Sequence, residues 1–429
     1  MGNMGKYGWK VSETTVRLAA GGHAVELSGP DGTWEGPEIV SESTAGSPSN
    51  AHVKVTFLQS GELEEIHVSA VPHLPQADVA SQTASLYAAI VDRLDAPGSL
   101  RLVAERVFGR LAAKETFLSA RAKALKKAGV PGGTPVTYVE GAPVDGQGLA
   151  GVHLTLVRQA GSVQVEPVCE GDDVHGFRVT SGDVCRVYLG GVHGDLSDPA
   201  EEQARRMFER TDALIRRAGL DYGKVVCTRI YLRRLLEWYD AFNAVRTPFY
   251  RKAGLITAEG PSRVPTSTGI QGKIADDCEC FMDVTAVSVG TDETCPFVRL
   301  YNPRQNEATD YGSSFARGVT VDVPDVRYVL ISGTASIDET GKSVHLDDPV
   351  KQTRRTIENF EAILKAGGCT PADLYHAVWY TKESSYGEII RREMRRQGWP
   401  DFPYPIVQAD VCRHDLLVEI DGSAVLPVE

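Results

Sequence analysis

Glu65-Ile-His-Val-Ser-Ala-Val71, Arg186-Val-Tyr-Leu-Gly-Gly-Val192 and Tyr328-Val-Leu-Ile-Ser-Gly-Thr334 are three short apolar runs, each ending in small residues. The same series of signals follows each of them, so the chain reads first as a repeat. An Asp able to cap free backbone N–H groups comes next, at Asp78, Asp198 and Asp348, with Pro after the latter two at the first helical position. Gln82, Gln203 and Gln352 stand at matching places in the first turns. Apolar residues then recur at helical spacing, as Ile357, Phe360, Ile363 and Leu364 do, which predicts a helix with one face on a sheet. Gly ends each helix, near Gly98, Gly219 and Gly367-Gly368.

Each copy continues with a strand (100–111, 225–232, 374–381) and a second helix (115–128, 235–253, 385–397). A last pair of strands closes it, at 134–157, 263–288 and 403–427. The unit is strand, helix, strand, helix, strand, strand, preceded by a hairpin, which makes the fold class α/β (α+β). Right-handed crossovers put both helices on one face of a mixed sheet, so the other face must be buried elsewhere. Three such sheets around an axis would bury it as a central barrel with the helices outside. The predicted divisions are an extension over 1–50, with no role assigned, and modules over 51–160, 161–300 and 301–429.

A chain of 429 residues with 42% apolar side chains has room for two to four cores and is expected to be a soluble globular protein. Its 45 Lys and Arg against 57 Asp and Glu give a net charge of -12, which argues against nucleic acid as partner. No stretch approaches 18 uncharged apolar residues, and Met1 to Lys10 lacks an apolar signal core, so no membrane role and a cytoplasmic location are expected. The eight cysteines form no Cys-x-x-Cys or zinc-spaced cluster and read as reduced core thiols; Cys278 and Cys280 share one strand face with Met282. No metal and no cofactor are expected, since phosphate-binding Gly loops, a Gly-x-Ser-x-Gly elbow and His-Glu-x-x-His are all missing.

The third copy reads Ile331-Ser-Gly-Thr-Ala-Ser-Ile337, Asp348-Pro-Val-Lys-Gln-Thr353, Glu358-Asn-Phe-Glu-Ala-Ile-Leu-Lys-Ala-Gly-Gly368 and Leu416-Leu-Val-Glu-Ile-Asp-Gly422. In that combination it resembles the RidA/YjgF family, whose chorismate mutase-like subunits form trimers. The second copy resembles the family clearly and the first faintly. The last two copies are more similar to the chorismatases of this superfamily, through Thr268-Gly-Ile270, Tyr311-Gly312 with Phe315-Ala-Arg317, and the pair Tyr239 and Arg246. The resemblance covers roughly residues 180–429 and implies a pseudo-trimer within one chain, free to associate further. The Arg with which RidA deaminases hold a carboxylate is replaced here by Tyr404, between Pro403 and Pro405. Chorismatases lack that Arg too.

Glu419 lies in an apolar strand beside Leu416, Leu417 and Val418; burial there would raise its pKa and keep the proton a general acid needs. In the chorismatases the matching Glu is taken to protonate the enolpyruvyl methylene, after which water attacks and pyruvate leaves. Its plain structural alternative is an ion pair across an interface. Arg317, Arg246 and Arg263 are the candidates for gripping substrate carboxylates through paired hydrogen bonds, with a solvated loop as the alternative for Arg263. Tyr311 and Tyr239 could donate to a substrate oxygen or simply pack, Thr268 and Gly269 could bring backbone close to a ligand or form a turn, and Gln408 could orient water. Matching the last strands places Phe281 and His153 at the position of Glu419, so one catalytic cleft of three is expected, with His153 either structural or marking a second.

Three readings stand at this point. The first is a chorismatase-like hydrolase acting on a small carboxylate. The second is an enamine or imine deaminase with another carboxylate anchor. The third is a binding protein that has kept only the shape of the trimer. A ribonuclease role is disfavoured by net charge and the lack of a basic, aromatic stripe.

Overall fold

The computed structural model describes the backbone at 14–18 and 40–42, and residues 51–73, 77–258, 260–261, 263–290 and 297–428, apart from the side chains of 261, 310 and 311. Its strands form three large mixed sheets and one two-stranded ribbon. Each large sheet repeats one order: hairpin partner, first strand, last strand, middle strand, short parallel edge strand. In the first sheet these are Ala51–Ser60, Leu63–Pro72, Leu149–Arg158, Leu100–Gly109 and Thr137–Glu140. In the second they are Asp173–Ser181, Val184–His193, Cys280–Val289, Val225–Leu232 and Thr266–Gln271. In the third they are Gly318–Val323, Val326–Ala335, Val418–Pro427, Leu374–Thr381 and Ile406–Gln408. Strand Gln164–Glu170 extends the second sheet and Phe297–Leu300 the third, while the backbone of Thr14–Leu18 runs parallel beside Ala51–Ser60.

Among the described residues six α-helices complete the copies: α1 Val79–Val91, α2 Lys114–Ala128, α3 Ala200–Arg217, α4 Leu235–Lys252, α5 Pro349–Ala366 and α6 Tyr386–Arg396. Asp78 and Asp348 cap α1 and α5 as expected, accepting from Ser81 N and Lys351 N. Asp198 does not cap α3. Pro199 holds the N-cap position and has no side-chain acceptor, and the Asp198 carboxylate turns to Arg206 at 2.8 Å. The matching glutamines make one device three times. Each Oε1 accepts from the backbone N–H at the start of the last strand: Gln82 from Leu149, Gln203 from Glu279, Gln352 from Leu417.

The central strands are buried along nearly their whole length, so both faces of each sheet are covered. One face carries the helices, as where Ile357, Phe360, Ile363 and Leu364 of α5 join Val329 and Trp379 of the third sheet. The other faces meet residues of the neighbouring modules. The third residues of the three equivalent strands, Glu65, Arg186 and Tyr328, come together: Arg186 Nε lies 3.3 Å from Glu65 Oε2, and the Tyr328 hydroxyl donates to that oxygen at 3.0 Å. A second layer joins the middle strand of one copy to the last strand of the next, Arg106 with Asp283 at 2.8 Å and Arg229 with Asp421 at 3.6 Å. At the corresponding third place the residues are Val378 and His153.

The expected closed barrel is not formed by the described strands, which remain three separate sheets. Side chains bonded to backbone make the seam between the second and third modules: Ser267 N donates to Ser332 Oγ at 2.8 Å, and Gly333 N to Thr268 Oγ1 at 3.1 Å. Only an isolated bridge, Thr266 with Ala316, continues the ladder there. Between the first and third modules the short strand Ala142–Pro143 pairs with Ile406–Gln408. Among the described residues no helix is long and apolar enough to cross a membrane.

Candidate active site

A cleft of about 640 Å³ lies between the second and third modules. Helix α4 and the edge strand Thr266–Gln271 form one wall. The other is built from the end of Val326–Ala335, the start of Val418–Pro427 and the segment 312–317. Glu419 enters from the last strand, opposite Ala335 on one side and Tyr380 on the other.

The Glu419 carboxyl is 4% exposed and sits directly over Gly333; a Cβ at that glycine would overlap Oε1. Burial, reinforced by Asp421 two residues along the same strand face, pushes its pKa up to about 8 despite the opposing Arg317. At neutral pH it therefore carries a proton in contact with the cleft. Cys412 borders the same space, and burial with Glu419 beside it pushes the thiol up to about 12, so it is a neutral S–H.

Arg317 also faces the cleft, 2% exposed, with its Nε donating to Asn306 O at 3.1 Å and its cation 5.4 Å from the Phe315 ring. Tyr239 lines the opposite wall, and Gly269 leaves room for its ring, which would stand 3.2 Å from a Cβ there. Two further cations border the space, Arg251 from the end of α4 and Arg413 from the loop before the last strand, and Asp240 adds a carboxylate among the described lining residues.

Other expected residues are placed elsewhere. Arg246 is wholly buried behind the cleft, between the rings of Phe242 and Phe315, and donates to Asn243 Oδ1 at 2.5 Å. It supports α4 and the Asn243 that lines the cleft. Thr268 spends its hydroxyl on Gly333 N and holds the seam. Gln408 is exposed, bonds Lys382 O at 2.9 Å, and borders a different pocket where the three edge strands end. Arg263 is exposed and outside the cleft lining. Tyr311 closes the short 3-10 helix Ala308–Tyr311, and its side chain lies outside the described residues.

Asn243, Arg251, Cys412 and Arg413 were not singled out by sequence. A signal existed for two of them: Tyr239, Asn243, Thr247 and Arg251 recur every fourth residue and form one stripe of α4, all on the cleft. Cys412 and Arg413 lie on an irregular loop with no periodicity to read.

The strand registers also correct one alignment. Tyr380 faces Glu419, Tyr231 faces Phe281, and Phe108 faces Gly151. The position of Glu419 in the first module is thus Gly151, whereas His153 stands where Asp283 and Asp421 do, two residues on. His153 stacks on His376 with ring centroids 4.5 Å apart, and burial with Arg106 and Arg229 nearby drives its pKa far down. It is an interior, uncharged ring and marks no second acid. Among the described residues no group of three or more His, Cys, Asp or Glu is placed to hold a metal.

The repeated sheets and the order of their strands give a fold like that of a solved chorismatase, and the chain resembles the chorismatases and the RidA/YjgF proteins. No family model matches it. A chorismatase crystal structure superposes with a TM-score of 0.55 at 17% identity, covering 77% of this chain and 95% of that one. A 3-hydroxybenzoate synthase of Streptomyces hygroscopicus is 33% identical over 129 residues, 28% of this chain and 36% of that protein, so the match spans little more than a third of that relative. A putative endoribonuclease of Thermotoga maritima aligns over 30% of this chain and 97% of its own, at 24% identity and a TM-score of 0.26.

Proposed function

We propose that the chain is a chorismate-converting hydrolase whose three modules form an intramolecular pseudo-trimer with one catalytic cleft, between the second and third. The observation that carries the reading is Glu419, a buried carboxyl with its pKa at about 8, opening onto a cleft that Arg251, Arg317 and Arg413 also line. Chorismate is a dianion carrying an enol ether, so it needs both a cationic pocket and a proton donor. The meeting of Glu65, Arg186 and Tyr328 supports the pseudo-threefold arrangement.

Glu419 transfers its proton to the enolpyruvyl methylene carbon, leaving an oxocarbenium centre whose developing positive charge the new carboxylate faces. Water adds to that carbon and returns a proton to Glu419. The hemiketal then collapses to pyruvate and the ring alcohol, a dihydroxycyclohexadiene carboxylate. Loss of one water from that alcohol gives 3-hydroxybenzoate, the product in the name of the Streptomyces relative. The scheme uses only water and Glu419. Arg317, whose charge acts on Glu419, is assigned one substrate carboxylate, and Arg251 at the end of α4 the other.

Incubation with chorismate, with pyruvate read by lactate dehydrogenase and the ring product by chromatography, tests this. Glu419→Gln is expected to lower kcat by about 10²–10⁴-fold, the usual worth of a general acid. Equal pyruvate release by wild type and Glu419→Gln would reject the assignment. Ammonia release from 2-aminoacrylate without pyruvate release from chorismate would favour the deaminase chemistry instead.

A further inference from the structure

Asp421 stands two residues beyond Glu419 on the last strand, so the two side chains share one face. It is 1% exposed and belongs to the layer that joins a middle strand to the last strand of the next module. Arg229 of the second module lies 3.6 Å from it, as Arg106 of the first lies 2.8 Å from Asp283. The two carboxylates are not held alike. Asp283 also accepts from Thr137 Oγ1 at 2.6 Å and from Gly191 N at 2.9 Å, and its strand carries Phe281 in the place of the acid. Asp421 has the longer ion pair and, among the described residues, one long hydrogen bond, from the Tyr380 hydroxyl at 3.4 Å. Fewer and longer bonds leave more of its charge to act on its strand neighbour.

When Glu419 gives up its proton, two carboxylates stand on one strand face, both buried in the seam. Like charges so placed disfavour the second ionisation. Burial and Asp421 both raise the pKa of Glu419, against Arg317. Cys412 and Arg413 also border the acid's space, with Tyr239, Asp240 and Arg251 across the cleft and Tyr380 on the neighbouring strand. Arg106 and Tyr231, from the other two modules, feel the charge of Asp421. Burial would act on any carboxyl at this position. The part due to Asp421 depends on the second module, which supplies the cation beside it.

We infer that Asp421 is a positioning residue for the acid: its carboxylate, held by Arg229 across the seam, keeps the proton on Glu419 and ties the readiness of the acid to the joining of the second and third modules. This rests on Glu419 being the acid, whereas the place of the proton does not depend on which substrate takes it.

The titration of Glu419 is read in the full chain by infrared difference spectroscopy, as the carbonyl band of a protonated carboxyl that Glu419→Gln removes. Asp421→Asn should move its midpoint down by about one pH unit. Because that change leaves Arg229 without its carboxylate, the double variant Asp421→Asn with Arg229→Gln is measured beside it and should shift the midpoint the same way. Asp283→Asn, at the other seam, should leave the midpoint in place. The upper limb of kcat against pH, for pyruvate release from chorismate, should move with the band. A midpoint at the wild-type value in both Asp421 variants, or one that moves equally in Asp283→Asn, overturns the inference even where pyruvate is released. A band that shifts as expected in a chain that releases no pyruvate bears out the inference and rejects the reaction.

Discussion

Glu419 is costly to the fold in a pH-dependent way. Its pKa is raised by burial from 4.5 to about 8. Below pH 4.5 folded and unfolded chains both hold the proton and no penalty arises. Between those values the unfolded chain ionises while the folded one does not, so stability falls by about 1.4 kcal/mol per pH unit. Above pH 8 the penalty is constant. Glu419→Gln removes the ionisation, so its Tm should rise relative to wild type as pH goes from 5 to 8 and the difference should then level off. Calorimetric scans at pH 5, 6.5, 8 and 9 check this; a flat difference would mean that the carboxyl is ionised throughout. Under the proposed reaction activity needs the protonated form and should fall as pH rises through the same value. The acid was legible because a carboxylate inside an apolar strand has few ways to be stable. Arg246 was legible as a partner of Tyr239 but not as a buried one, because Arg246 lies off the stripe of every fourth residue that faces the cleft.

At the scale of the element, three helices and three strands are tied by one glutamine each. Gln352 accepts from Leu417 N at 2.9 Å and donates to Asp415 O at 2.8 Å, fixing the strand entry two residues before Glu419. Gln352→Ala leaves both backbone groups unpaired in a largely buried setting, at a cost of about 1–3 kcal/mol. If the pin also positions the acid, kcat should fall more than stability alone explains, with KM little changed. Gln203→Ala, whose strand carries Phe281 in place of the acid, provides the control: similar loss of Tm, smaller loss of kcat. Equal kcat losses in the two variants would reduce Gln352 to a purely structural pin. The matching glutamines were visible in the sequence, as were all six helices and the succession of elements along each copy, whereas the order of strands within the sheets was not. Nor was the register of the first module. Its last strand carries a bulge at Ala150, between the pairs Gly109–Leu149 and Phe108–Gly151, and beyond it the apolar alternation reads the same when moved by two residues, since every second side chain shares a face. That slip put His153 at the place that Gly151 occupies. Asp198 failed as a cap for a similarly local reason, the proline after it taking the N-cap position.

For the whole molecule, what the sequence could not show is how three repeated sheets meet, because the meeting depends on polar residues that each differ between copies. Hydrophobic pattern predicts that the inner sheet faces are buried; it does not predict Glu65, Arg186 and Tyr328 at one equivalent position, or a carboxylate taking a hydrogen bond from Tyr188 at 2.7 Å and lying 3.0 Å from His67. Burial works to raise the pKa of Glu65, but His67, Arg186 and Tyr188 prevail and hold it at about 2. Its charge therefore adds stability that is present above the unfolded value of 4.5 and is lost as pH falls toward 2. At neutral pH, Glu65→Gln leaves the Arg186 charge buried without its carboxylate, an expected loss of about 3–5 kcal/mol. Because the three residues come from three modules, the loss should appear as a broken transition, with the first module melting before the other two, rather than as a simple shift in Tm. Replacing the charge on both sides, Glu65→Leu with Arg186→Met, should restore most of the stability and the single transition, since the pair costs desolvation that an apolar contact does not. Differential scanning calorimetry of wild type, single and double variants decides it. A Glu65→Gln variant that melts as wild type in one transition would mean that the modules are held by their seams alone.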